Sequence, residues 1–84
     1  NINEDRRKAL EESKTFLDTY YTANFSAKFV EQWTAAGSPM QCVEELRAYF
    51  AAGVGHMALR LTSWDQRGQF KRFLAEVVPA FGDR

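Results

Sequence analysis

Gly53-Val54-Gly55-His56-Met57-Ala58-Leu59-Arg60-Leu61-Thr62-Ser63 is the stretch on which the reading of this chain turns. Residues 56–61 are almost wholly apolar, too few for a helix, and set between a glycine turn and a serine that can open a helix. They read as a strand. Near-continuous hydrophobicity is what a strand covered on both faces shows, as in parallel sheets. A lone strand leaves its N–H and C=O groups without partners, and burying them so costs about 1–3 kcal/mol each. The neighbours are therefore expected from another chain or, preferably, from sequence outside these 84 residues, which start at Asn1 rather than at Met. In the competing reading, 56–61 continues as helix or loop and the chain is a small all-α bundle.

Outward from this stretch the signals are helical. Ser63 and Gln66 can form a capping box, and Phe70, Phe73, Leu74, Val77 and Val78 recur at helical spacing until Pro79, which predicts a C-terminal helix over 63–78. On the other side, Ser38 as N-cap, Pro39 in the first turn and Gln41 three residues on predict a helix over 38–53, with Val43, Leu46, Tyr49 and Phe50 on its buried stripe and Gly53 at its end. Ser26 can cap a short helix carrying Phe29, Val30 and Trp33, closed by Gly37. Residues 3–22 form an amphipathic helix in which Glu4, Lys8 and Glu12 can pair at i,i+4 spacing. Residues 1–36 are then a helical connection, and the order of elements is helix, helix, helix, strand, helix.

Composition narrows the function classes. Eleven basic side chains balance 11 acidic ones, so no basic field favours a nucleic-acid partner. One His and one Cys cannot complete a Cys/His zinc set, and the lone Cys42 has no internal disulfide partner. No apolar run is long enough to span a bilayer, and no basic-then-apolar leader is visible, which makes the cytoplasm the expected compartment. No P-loop, dinucleotide glycine fingerprint or HExxH motif occurs.

Taken in order, Gly37-Ser38-Pro39-Met40-Gln41-Cys42-Val43, Leu46-Arg47-Ala48-Tyr49, Ala52-Gly53-Val54-Gly55-His56, the strand, and Ala75-Glu76-Val77-Val78-Pro79-Ala80-Phe81 resemble the C-terminal end of luciferase-like flavin-dependent monooxygenases. Each motif is short. Their order and spacing over about residues 33–81 carry the resemblance. It implies an α/β fold in which these residues are the last part of a (β/α)8 TIM barrel, and an oxidoreductase that uses reduced flavin (FMN) and O2 on an organic small-molecule substrate. A relative using the deazaflavin F420 for hydride transfer is the alternative, and a homo-oligomeric parent is expected. A freestanding helical interaction module without catalysis is the reading from a different class.

Barrel enzymes place their chemistry at the C-terminal ends of strands. The candidate substrate- or cofactor-binding residues are therefore Arg60, Thr62, Ser63 and Trp64. Arg60 is the one charge in an apolar run, suited to a substrate acid group or a flavin phosphate, or else to a structural ion pair. Ser63 and the N–H groups of Trp64, Asp65 and Gln66 make a helix start that suits an anion, although capping alone explains Ser63. Trp64 can flank a flavin ring or simply pack. His56, at the opposite end of the strand, is structural, and Cys42 is packing or inert surface rather than a nucleophile. Tyr20, Tyr21, Phe25, Phe29 and Trp33 read as a helix stripe for core packing, or as cover for a pocket mouth or subunit contact. No catalytic residue and no metal ligand is assigned.

Overall fold

The structure, a computed structural model, describes residues 1–53, 55 and 59–81. It is helical throughout its regular elements. The helices are α1 (Arg6–Tyr21), α2 (Ala27–Trp33), α3 (Pro39–Ala51) and α4 (Gln66–Arg72), and the winding continues through a π turn over Phe73–Val77 and a 3-10 turn over Val78–Phe81. Of the strand expected over 56–61, residues 59–61 are extended to irregular and carry no strand pairing, while 56–58 lie outside the described residues, as does His56. A strand forms only where a second backbone ladder meets it, and none among the described residues does so here.

The helix starts are those that the caps dictate. Ser38 accepts from the Gln41 N–H at 3.3 Å, and the Gln41 side chain accepts from the Ser38 N–H at 2.9 Å, closing the capping box with Pro39 in the first turn. Ser26 caps α2 by accepting from the Phe29 N–H at 3.1 Å. Two boundaries move. The last helix starts at Gln66, not Ser63, because Asp65 takes the cap and accepts from the Gly68 N–H at 3.0 Å. It also runs past Pro79 with altered winding. Proline has no N–H and its ring collides with the carbonyl four residues back, so the helix widens to π pitch before Pro79 and tightens to 3-10 pitch across it.

At the other end, α1 starts at Arg6 because residues 1–3 are extended. Asn1 and Asn3 bond to Gly37 on one side, Gly37 N–H to Asn1 O at 3.1 Å and Asn3 N–H to Gly37 O at 2.7 Å, which makes a parallel bridge between Ile2 and Gly37. Gly37 therefore does not close α2, which ends at Trp33; it sits at φ +120°, a conformation open to glycine, where the chain leaves the bridge for the α3 cap. The expected Glu4–Lys8–Glu12 ladder is replaced. Glu4 reaches Arg72 across the molecule at 2.6 Å, Glu12 turns inward, and the i,i+4 pairs of α1 are Arg7–Glu11 and Lys14–Asp18.

The core lies where α3 and the last helix meet the extended start: Ile2, Cys42, Val43, Leu46 and Val77 are buried, with Ala35, Phe73 and Phe81 packed against them. Val43 and Leu46 of the expected α3 stripe are buried. Tyr49 is at the surface with its hydroxyl donating to Gln32 O at 3.2 Å, and Phe50 is half-buried against Phe81. Of the last helix's apolar set only Val77 is fully buried, whereas Phe70, Leu74 and Val78 face outward.

Candidate functional site

An apolar cleft of about 520 Å³ opens between the inner faces of α1, α2 and α3 and the 59–62 segment. That is within the range of small-molecule pockets, roughly 300–1,000 Å³. One wall is aromatic. Tyr21, Phe25, Phe29 and Trp33 line it and continue a ladder that begins outside the lining at Phe16 and Tyr20 of α1, each ring 4.9–6.1 Å from the next along the series from Tyr20 to Trp33. The spacing that predicted a buried helix stripe is present, yet Tyr20, Tyr21, Phe29 and Trp33 are exposed, Trp33 at 69%. The reason is that α2 is short and packs through Val30, which leaves the other faces of its two turns uncovered. The floor is Cys42, Leu46, Phe73 and Val77.

Of the four candidate residues, Arg60 and Thr62 line the cleft. Arg60 is exposed, and its guanidinium lies 4.3 Å above the centre of the Tyr20 ring. Among the described residues no carboxylate pairs with it, so the structural ion pair that the sequence allowed is not formed within them. Thr62 is buried, and its hydroxyl shares a hydrogen bond of 2.8 Å with the buried Ser13 of α1.

Ser63 and Trp64 turn away from the cleft toward α1. The Glu12 carboxylate accepts from the Ser63 hydroxyl at 2.9 Å, the Trp64 N–H at 3.1 Å and the Asn1 side-chain amide at 3.0 Å. Asp65 N–H donates to Ser63 Oγ at 3.2 Å, and the Trp64 ring packs against Phe16 at 5.0 Å. The Ser63 hydroxyl and the Trp64 and Asp65 N–H groups, expected to receive an external anion at this helix start, thus meet the chain's own oxygens. Burial pushes the Glu12 carboxyl upward, but the hydrogen bonds from Asn1, Trp64 and Ser63 outweigh it and hold the group below the usual carboxylate range.

Sequence reasoning missed Gln69 and Glu12. Gln69 is buried on α4, and its side-chain amide donates to Ile2 O at 2.8 Å while its carbonyl accepts from Ile2 N–H at 2.8 Å. Asn1 adds a bond from its amide to Thr62 O at 2.8 Å, and its side-chain oxygen is buried without a donor among the described residues. A polar residue at the head of an apolar helical stripe, as Gln69 is one turn before Phe73 and two before Val77, was the available signal for the first. Glu12 was hidden in a charge run and had none.

Cys42 is buried with its sulfur 3.6 Å from Gly37 O and 3.7 Å from Ala35 O, and burial pushes its thiol above the usual range. Among the described residues no group of three His, Cys, Asp or Glu side chains is placed to hold a metal ion, and no helix is long and apolar enough to cross a membrane. No protein-family model, curated protein or solved structure matches this chain.

Proposed function

We propose that these residues are the closing part of a luciferase-like, flavin-dependent oxidoreductase, with the cleft and Arg60 belonging to its substrate side. The carrying observation is the ordered set of motifs from Gly37-Ser38-Pro39 to Val78-Pro79-Ala80-Phe81. Two features of the structure support it. The Ile2–Gly37 bridge is parallel, the pairing that strand–helix repeats produce, and the long apolar wall from Tyr20 to Trp33 stands uncovered, as the inner surface of a larger α/β domain would be without its neighbours. In this reading 59–62 is the end of the last barrel strand.

The residues present fit one part of a flavin and not another. Apolar walls suit a planar aromatic ring. A phosphate would find the Arg60 guanidinium on the cleft, whereas the Trp64, Asp65 and Gly68 N–H groups at the α4 start are already bonded to Glu12, Ser63 and Asp65. The phosphate contacts of FMN, or of F420, are therefore assigned to other parts of the protein. What this chain contributes is exclusion of water by the aromatic wall and orientation of a substrate at Arg60. The protein as the cell makes it, supplied with reduced FMN, should consume O2 faster than reduced FMN alone and transfer oxygen to an organic acceptor. If it instead shows no effect on either reduced FMN or reduced F420, the proposal fails.

The exposed aromatic ladder also favours a second reading, a helical interaction module in which a partner covers Phe29 and Trp33. A discrete, monomeric, cooperatively melting 84-residue chain without flavin affinity would support that reading over the first.

A further inference from the structure

The cleft has a charge pattern that selects its ligand. Among the described residues Arg60 is the sole charged side chain on its lining and no Asp or Glu forms it, while the α-ammonium of Asn1, also a lining residue, donates to Ala35 O at 2.9 Å. Several other polar side chains there are tied into the fold: Thr62 to Ser13, Gln69 to Ile2, Tyr49 to Gln32, and Asn1 through its amide to Glu12 and Thr62. Among the described residues no hydrogen-bond acceptor and no carboxylate meets the Arg60 guanidinium. Its central carbon lies 4.3 Å from the centre of the Tyr20 ring, a contact that leaves its N–H groups, which can bind a carboxylate in two-point fashion, without an acceptor among the described residues. An unpaired guanidinium on an apolar cleft complements one negative charge attached to a body of hydrocarbon.

We infer that the cleft binds an amphipathic monocarboxylate, its apolar body on Tyr21, Phe25 and Phe29 and its carboxylate on Arg60. The cationic and neutral analogues of the same chain lack the match. Naming this ligand as the substrate of the oxidoreductase rests on the flavin reading; its binding does not.

The test is calorimetric titration of the protein with decanoate, decanol and decyltrimethylammonium. Decanoate binds at least about tenfold tighter than decanol, the margin of a charge-assisted hydrogen bond, and the ammonium compound binds weakest. Arg60→Gln brings decanoate down to the level of decanol and leaves decanol unchanged, while Arg60→Lys retains part of the preference. Arg60 is exposed and outside every helix, so helical circular dichroism stays the same in both variants. The chain has two tryptophans, and Trp64→Phe leaves Trp33 on the cleft wall as the only reporter; its emission follows the calorimetric midpoint. Equal affinities for decanoate and decanol, an Arg60→Gln variant that keeps the preference, or a silent Trp33 would each overturn the inference. Loss of the carboxylate preference with flavin activity intact refutes this inference alone, and the reverse result refutes the flavin reading alone.

Discussion

The Gln69 side chain holds Ile2 by both of its backbone groups, with two bonds of 2.8 Å, in the way a neighbouring strand would. Asn1 and Asn3 face Gly37, so Ile2 presents its N–H and C=O to the opposite side. A primary amide offers one donor and one acceptor at the spacing of a peptide group, and α4 supplies it where no second strand is present among the described residues. Gln69→Met keeps the length and removes both bonds. It leaves two buried backbone groups unpaired and lowers stability by about 2–4 kcal/mol, measured by urea unfolding. Gln69→Glu keeps the acceptor and sets a carboxylate against Ile2 O, so it is destabilising at neutral pH and recovers in acid as the carboxyl gains a proton. A Gln69→Met variant as stable as the parent would contradict the account of this contact.

Ser13 and Thr62 form a buried hydroxyl pair that ties α1 to the segment bearing Arg60. Ser13→Ala strands the Thr62 hydroxyl and costs about 1–3 kcal/mol, and Thr62→Val costs less because the Ser13 hydroxyl keeps the Thr62 carbonyl at 3.5 Å. The double variant removes both polar groups and is less damaging than the sum of the two. A double-mutant cycle reads the coupling directly, and strict additivity would show that the pair does not exist in solution.

Glu12 gives the fold a pH dependence of definite sign. Hydrogen bonds hold its carboxyl below the usual range when folded, so its stabilising contribution is present above the ordinary carboxylate range and is lost as pH falls through the folded value. Glu12→Gln therefore lowers stability at neutral pH and flattens the acid limb of the stability curve. Glu4, Asp18 and Glu76 are also lowered by their ion pairs, so the acid limb of the variant flattens without vanishing. Melting temperature against pH for both proteins checks this, and parallel curves would contradict it.

Gly37→Ala is expected to lose more than about 1 kcal/mol. An L side chain at φ +120° is strained, and a Cβ there meets the Gln41 side-chain oxygen that caps Ser38. Gln41 can swing aside, but only by giving up the capping box. Thermal melts of Gly37→Ala and of Gly37→Ala with Gln41→Ala separate the two effects, since only the backbone strain survives in the double variant.

Cys42 should react slowly with a thiol reagent in the folded protein and at the rate of a free thiol in urea. Burial both blocks access and disfavours the thiolate. Fast modification under native conditions would contradict the packing around Ile2 and Val43.

The helix starts at Ser38 and Ser26 were legible because a cap is written within four residues of sequence, whereas the α4 start expected at Ser63 lies at Gln66, since Asp65 competes for the same turn and takes the cap. What was not legible depends on contacts across the chain. Gln69 could not be assigned to Ile2 across 67 positions from its type alone, and Glu12 looked like one more charge on a wet face although it organises Asn1, Ser63 and Trp64. Arg60 stood out as a charge in an apolar run, but its seat on Tyr20 depends on where α1 lies. The winding change around Pro79 was visible only as a stop, because proline blocks one hydrogen-bond pattern without stating which other pattern replaces it.

The flavin reading is tested most directly by the flavin content of the protein purified as the cell makes it. The account predicts binding of FMN or F420 in a defined ratio to chain, released on denaturation and identified by its absorption spectrum. A protein that purifies colourless and takes up neither cofactor when titrated would contradict it.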